Sequence, residues 1–253
     1  MHKARRRMII MALLAILIHV YGCHFHKVGP DPIPAPDPEF QAFPTPRTFD
    51  APGTIFRIDA TGKSFGVEDL SDRIKIRKGE ESIGQYKSTM RTKLGNFLKF
   101  LNTNQISLGI GLEQNSNAII NIEFLADSLT REKTFDNNIK NALNDAIYKI
   151  EWKDNNKYYI IRETISAQKI FYKFSSSFND TIGVKISLNE LINTNSNFKK
   201  DLASKYDLIQ SFSQPHRIFY KVEEIIQFNG LDGKITFGIE PTDTTPVWQD
   251  EVR

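Results

Sequence analysis

The sequence contains a single cysteine in 253 residues and five histidines, four of which precede residue 27. One cysteine cannot close an internal disulfide, which excludes the bridged frameworks common in small exported proteins. His216 is the only histidine of the later chain, so neither a histidine pair nor a cysteine cage can hold zinc there. The sequence therefore predicts no metal site and no bound cofactor.

Nucleotide-binding and zinc-protease motifs are also missing. The chain has no G-x-x-x-x-G-K-[ST] phosphate loop and no H-E-x-x-H pair. Asp and Glu are frequent, but 30 carboxylates in one chain do not by themselves single out a glycosidase pair. No catalytic residue is assigned from motifs.

Neither sign of charge dominates. The 33 Lys and Arg residues face 30 Asp and Glu residues, and Lys3, Arg5, Arg6 and Arg7 all lie in the first 22 residues. If those 22 residues are removed, 29 cationic side chains remain against 30 acidic ones. Nucleic-acid-binding domains carry a clustered excess of positive charge, so we expect no nucleic-acid partner.

The first 22 residues have the pattern of a secretory signal peptide. The cationic start is followed by an apolar run from Met8 to Val20, broken only by His19. This run is shorter than the roughly 20 apolar residues that a membrane-spanning helix needs. A cationic start with a short apolar core is typical of an export signal, so we expect the chain to leave the cytoplasm.

The end of this leader, Val20-Tyr21-Gly22-Cys23, resembles the lipobox of bacterial lipoproteins. The resemblance implies that Cys23 becomes the first mature residue and carries a diacylglycerol, which would hold the protein on a membrane without spanning it. It further implies the outer membrane, because His24 stands where an aspartate would signal inner-membrane retention. The alternatives are an uncleaved anchor and an ordinary signal peptide with an incidental cysteine.

Residues 23–53 hold eight of the eleven prolines. Alternating X-Pro favours the extended polyproline II conformation, so this stretch is predicted to be a spacer reaching up to roughly 90 Å. The run Pro34-Ala35-Pro36 is alternatively a ligand for an aromatic groove. His24 and His26 form an H-x-H spacing, but no carboxylate or thiol cage accompanies it.

Hydrophobic periodicity predicts one α+β domain over residues 54–240 and an exposed tail over 241–253. Antiparallel β hairpins are expected to alternate with amphipathic helices. The predicted strands are 54–59, 63–70, 106–112, 118–125, 157–165, 169–174, 216–222, 225–228 and 234–240. The predicted helices are 81–101, 135–150, 187–192 and 198–212.

The predicted helix 81–101 has a basic face that includes Lys87, Arg91, Lys93 and Lys99. Such a face is usually solvated, although basic amphipathic helices also contact anionic lipid. On the predicted strand 157–165, Glu163 shares a face with apolar neighbours. A buried carboxylate has a raised pKa and can act as a general acid, whereas pairing with Arg57 or Arg217 would make it structural.

The leader and the shortage of motifs together favour a lipid-anchored, non-enzymatic envelope protein that binds another envelope or surface component. The alternative is a lipid-anchored hydrolase acting on a glycan or peptide, with Glu163 or His216 as its acid or base. A solute-capturing lipoprotein would require two α/β lobes, which the hairpin-rich order does not favour.

Overall fold

The computed structural model describes residues 33–79, 84–101, 117–146, 150–153, 155–175, 192–193, 195–200, 207–229 and 235–242. Within them lies one antiparallel sheet of eleven strands, with two α-helices. The elements in chain order are β1 (Gln41–Arg47), β2 (Thr54–Ile58), β3 (Ser64–Asp69), β4 (Ile76–Gly79), β5 (Tyr86–Lys93), α1 (Leu94–Phe100), β6 (Asn117–Phe124), β7 (Leu129–Thr134), α2 (Asp136–Ala146), β8 (Lys157–Phe174), β9 (Phe198–Lys199), β10 (Leu208–Asn229) and β11 (Ile235–Pro241).

The long strands β8 and β10 pair with each other and form the centre of the sheet. The second edge of β8 pairs in succession with β2, β7 and β6. The second edge of β10 pairs with β11, β1 and β9. Strands β3, β4 and β5 pair with β2, β7 and β6 and complete the sheet. The two central strands therefore carry short strands along their whole length.

This arrangement contradicts the predicted α+β class, because the protein is mostly strand and its hairpins do not alternate with helices. Several elements are nevertheless confirmed: the hairpin of β2 and β3, strand β6, helix α2 and the pairing of β10 with β11. The predicted strand 106–112 lies outside the described residues, as do 187–191 and 243–253. In the described part of the chain, no helix is long and apolar enough to cross a membrane.

The predicted helix 81–101 is wrong over residues 86–93. Strand β5 pairs with β6 along all eight residues, from Tyr86 opposite Phe124 to Lys93 opposite Asn117. Tyr86 and Met90 are four residues apart, and this spacing fits one helix face as well as one strand face. Of the described residues in this range, 94–100 are helical. Cross-strand pairing decided between two periods that the sequence satisfied equally.

The predicted hairpin of 157–165 and 169–174 is also wrong, because both segments belong to β8. The residues between them, Ser166 to Gln168, include no glycine, proline or asparagine to form a turn. Ala167 instead pairs with Leu129 on β7 and with His216 on β10. Partners on both edges keep the backbone extended through this point.

The predicted helix 198–212 is wrong where the structure describes it. Residues 198–199 form β9, and β10 begins at Leu208. Ile209 lies opposite both Lys199 and Phe171, so this segment is fixed between two strands. Of the apolar residues that suggested a helix, Phe198 and Phe212 are buried in the main core.

The predicted spacer over 23–53 does not extend to residue 53. Strand β1 pairs with β10, and Ile33 and Phe40 are buried in the main core with 1% and 3% of their surface exposed. Pro44 and Pro46 are tolerated because the ladder of β1 is irregular between Ala42 and Arg47, and proline is accepted at such edge positions. The folded region therefore begins at least twenty residues before the predicted start.

Two larger apolar clusters cover different parts of the sheet. One packs α1, including Phe97 and Leu94, against β5, β6, β8 and β10. The other packs α2, including Ile139 and Leu143, against β2, β8 and β11. Between these parts, the middle of β8 carries the buried polar residues Arg162, Glu163 and Thr164.

Candidate functional site

Glu163 lies in the middle of β8, opposite Lys133 on β7 and Lys221 on β10. Its Oε2 accepts a hydrogen bond from Arg131 Nε at 2.7 Å and a second from Arg131 Nη2. Lys133 Nζ lies 3.0 Å from its other oxygen, Oε1. Both oxygens of a carboxylate that is only 3% exposed are therefore bound by cations.

This environment determines the protonation of Glu163. Burial raises its pKa, but the hydrogen bonds and charges of Arg131 and Lys133 outweigh burial and lower the pKa below its ordinary value. A general acid at neutral pH needs the opposite shift. The acid role considered for Glu163 has no support, and its arginine partner is Arg131 rather than Arg57 or Arg217.

Glu132 forms a second ion cluster on the other face of β7, because successive residues of a strand point to opposite faces. Arg217 Nη2 and Nε donate to Glu132 Oε2 at 2.9 Å and 3.1 Å. Lys78 Nζ lies 3.2 Å from Oε1. Burial raises the pKa of Glu132, and Arg217 followed by Lys78 lowers it, with a net decrease.

Together these contacts hold the sheet but do not form a catalytic carboxylate pair. A glycosidase needs two carboxyl groups that flank one bond. Glu132 and Glu163 point to opposite faces, and each is bound by two cationic side chains. We therefore assign both to the stability of the strand pairing.

His216 lies on β10 opposite Ala167 and is half-buried. Its Nδ1 is 2.9 Å from the carbonyl oxygen of Gln214, and its ring stacks on Phe212 with centroids 4.0 Å apart. Within the described residues it makes no hydrogen bond or ion pair with a carboxylate. In the part of the chain that the structure describes, His216 therefore lacks the carboxylate partner that orients the histidine of a catalytic triad.

A small cavity lies beside His216 and has a volume of about 100 Å³. Ligand pockets are usually several times larger, about 300–1,000 Å³. Glu163 does not reach this cavity. On β8 it lies four residues before Ala167, the pairing partner of His216, and this is a separation of roughly 13 Å along the strand. The cavity is lined by Pro46, Leu101, Asn195, Asn197, Phe198, Gln210, Phe212 and His216.

A G-x-S-x-G motif at the start of β3 and an S-x-x-K motif on β8 have no catalytic geometry. Residues 62–66 read G-K-S-F-G, but Gly62 lies in the turn between β2 and β3, and Ser64 begins β3 with 1% exposure. A nucleophile elbow requires a strand followed by a helix. Ser166 and Lys169 have S-x-x-K spacing on β8, but Ser166 is buried and Lys169 exposed.

Cys23, His24 and His26 lie outside the described residues. Among the described residues, no group of three or more His, Cys, Asp and Glu side chains could hold a metal ion.

A surface that sequence reasoning assigned to a helix is instead an exposed sheet face. We call it the basic face. On β5, Lys87, Arg91 and Lys93 alternate with inward residues, and Lys173 of β8 lies opposite Asn121 of β6. The name covers these exposed residues of the β5–β6 hairpin and the end of β8: Lys87, Thr89, Arg91, Lys93, Asn117, Ile119, Asn121 and Lys173.

On the described strands β5 and β6, the one carboxylate of this face is neutralised. Glu123 is 8% exposed, and its Oε1 lies 3.5 Å from Lys87 Nζ and accepts a hydrogen bond from Gln85. Within the described residues, Arg91, Lys93 and Lys173 contact no carboxylate. In the sequence, the alternation of basic residues between Lys87 and Lys93 indicates an exposed strand face, whereas the apolar residues of the same segment also fit a helix.

No family model and no curated protein matches the chain. Among solved structures, it is similar to a bacterial gasdermin from Bradyrhizobium tropiciagri at 14% identity, over 80% of this chain and 87% of that chain, with a TM-score of 0.47. This likeness is too distant to assign a family or an activity.

Proposed function

We propose that this protein is a lipid-anchored component of a bacterial envelope whose β-sheet domain binds another envelope or surface component. The observation that carries the proposal is the leader: a cationic start, an apolar run and a lipobox-like sequence that ends at the chain's single cysteine. Cys23 is the proposed lipid attachment site, and the outer membrane is the proposed location.

The described part of the domain supports binding rather than turnover. Glu163 and Glu132 are held as salt-bridged anions, and His216 lacks an acid partner among the described residues. The exposed basic face is a surface suited to recognition by charge. A hydrolase using Glu163 or His216 is not favoured by these contacts.

The buried position of Ile33 shortens the proposed tether. Cys23 is only ten residue steps from Ile33, which is 1% exposed in the main core. Ten extended residues span at most about 36 Å. In the lipidated protein the domain would therefore remain close to the membrane rather than roughly 90 Å from it.

Intact mass and detergent-phase partitioning of the mature protein test the anchor. We expect the wild-type chain to begin at Cys23, to carry the mass of a diacylglycerol, and to partition into detergent. Cys23→Ser should lose both properties, and His26→Ser should retain them as the matched control. An unacylated wild-type chain that stays in the aqueous phase would refute the proposal.

Membrane fractionation tests the proposed location separately. The wild type should sediment with outer-membrane markers. His24→Asp should shift it to the inner membrane, as expected from the lipobox resemblance. A wild-type protein found at the inner membrane would contradict the outer-membrane assignment and leave lipidation unaffected.

A further inference from the structure

The N-terminal end of the described chain is fixed at the same hairpin that carries most of the basic face. Tyr86, the first residue of β5, donates its hydroxyl to the carbonyl oxygen of Pro34 at 2.6 Å. Its ring stacks on Phe124 of β6 with centroids 5.9 Å apart. Ile33, one residue before Pro34, is buried in the core below this hairpin. The chain from Cys23 therefore reaches the domain at the start of β5.

Strand β5, which carries most of the basic residues of this face, lies within reach of that tether. Strand β5 spans seven residue steps from Tyr86 to Lys93, roughly 24 Å at the usual rise. The ten residue steps from Cys23 to Ile33 can span at most about 36 Å. A lipid on Cys23 could therefore insert into a membrane that also contacts this face.

The charge of the face suits an anionic surface. Arg91 and Lys93 are two residues apart on one side of β5, and Lys173 lies on β8 beyond Asn121. Ile119, directly opposite Arg91, is a large apolar side chain with 39% exposure on the same side. Clustered Lys and Arg next to a membrane anchor are attracted to anionic lipid headgroups.

We propose that the basic face docks the domain flat on an anionic lipid surface, as a second attachment beside the Cys23 lipid. This inference rests on the proposed lipid anchor for its geometry. One acyl attachment leaves the domain free to rotate about its tether. Electrostatic contact through Arg91, Lys93 and Lys173 would fix which side of the sheet faces the membrane and which faces outward.

Vesicle flotation of the unlipidated chain tests this docking without the anchor. The protein is the mature chain, residues 23–253, with Cys23→Ser. We expect it to float with vesicles of phosphatidylcholine containing phosphatidylglycerol, to float much less at high salt, and to remain unbound with phosphatidylcholine alone. Arg91→Glu with Lys93→Glu and Lys173→Glu should weaken partitioning at least about 100-fold.

The matched control reverses three exposed charges elsewhere. Lys75→Glu with Arg77→Glu and Lys140→Glu changes the net charge by the same amount and should retain most binding. Thermal unfolding of both triple variants verifies that they fold. If both variants lose vesicle binding equally, net charge alone explains the effect, and the proposal is overturned.

Two further outcomes would also overturn the docking. One is the absence of flotation of the folded chain with anionic vesicles at low salt. The other is binding of a short DNA duplex as tightly as the vesicles, with the same dependence on the basic face. The Cys23→Ser variant used in these experiments carries no lipid. Either outcome therefore overturns the docking alone, and the mass measurement on the wild-type protein tests the anchor separately.

Discussion

Arg217 on β10 donates two hydrogen bonds to one oxygen of Glu132 on β7, at 2.9 Å and 3.1 Å, across the intervening strand β8. The two residues are 85 positions apart in sequence. Thr164 of β8, which lies between them, is fully buried and donates to the same carboxylate at 3.4 Å. This contact joins three strands at the point where the apolar clusters give way to polar side chains.

Removing Glu132 should destabilise the protein strongly. In Glu132→Ala, Arg217 would remain mostly buried without its carboxylate, which typically costs about 3 kcal/mol or more. Urea unfolding measures the loss. Glu151→Ala is the control, because Glu151 is 86% exposed and lies 4.0 Å from Lys153. A loss from Glu132→Ala no larger than that from the control would contradict the assigned role.

Stability should fall in acid because of Glu132 and Glu163. The pKa of each carboxyl is lowered in the folded protein from its ordinary value of 4.5. The unfolded chain therefore binds more protons, and the contribution of these groups is complete above about pH 5 and lost as pH falls through the folded pKa values. The free energy of unfolding, measured between pH 7 and pH 3, should decrease with acidification.

Replacing both carboxylates identifies the source of this dependence. Glu132→Gln with Glu163→Gln should be less stable at pH 7 and should show a flatter decline toward pH 3. An equally steep decline in the double variant would mean that other groups cause the acid sensitivity.

Ile33 should fasten the segment before β1 to the domain. Ile33→Asp places a charge at a position that is 1% exposed, so the segment should detach. Hydrogen exchange of residues 33–40 should accelerate, and protease should cleave there earlier. Pro38→Ala, at an exposed position in the same segment, is the control. Unchanged exchange in Ile33→Asp would mean that this contact does not hold the segment.

Tyr172 and Gln210 form a buried hydrogen-bonded pair. The stability lost by breaking it should depend on whether one partner or both are replaced. The Tyr172 hydroxyl donates to Gln210 Oε1 at 2.8 Å, and burial raises the pKa of Tyr172 well above its ordinary value. Tyr172→Phe leaves the amide oxygen without this donor and should cost about 1–3 kcal/mol. Urea unfolding should show that Tyr172→Phe with Gln210→Leu recovers part of this loss. Additive losses would contradict the pairing.

The local sequence predicted a secondary-structure element correctly where the turn residues and the hydrophobic period indicated the same structure. The hairpin of β2 and β3 turns at Gly62, whose φ of 85° suits glycine, and both strands were predicted. Helix α2 has apolar residues only at helical spacing, with Ile139 and Leu143 buried four residues apart. In such segments, no distant partner was needed to choose the structure.

Local sequence failed where two structures fit the same residues. Tyr86 and Met90 satisfy a helix and a strand, and the pairing with Phe124 and Ile120 decided for the strand. The prolines of residues 41–47 suggested a free spacer, but β10 provides an edge that tolerates them. The partners of Glu163 were equally hidden, because Arg131 lies 32 residues away in sequence.

The sequence by itself led to the proposal of export and anchoring, because the signal-peptide-like leader and the lipobox-like residues that end at Cys23 are linear patterns. Tertiary structure alone decided the sheet, the neutralisation of Glu132 and Glu163, and the gathering of Arg91, Lys93 and Lys173 on one face. The physical reason is that strand pairing and ion pairing depend on residues far apart in the chain, whose proximity no local period encodes.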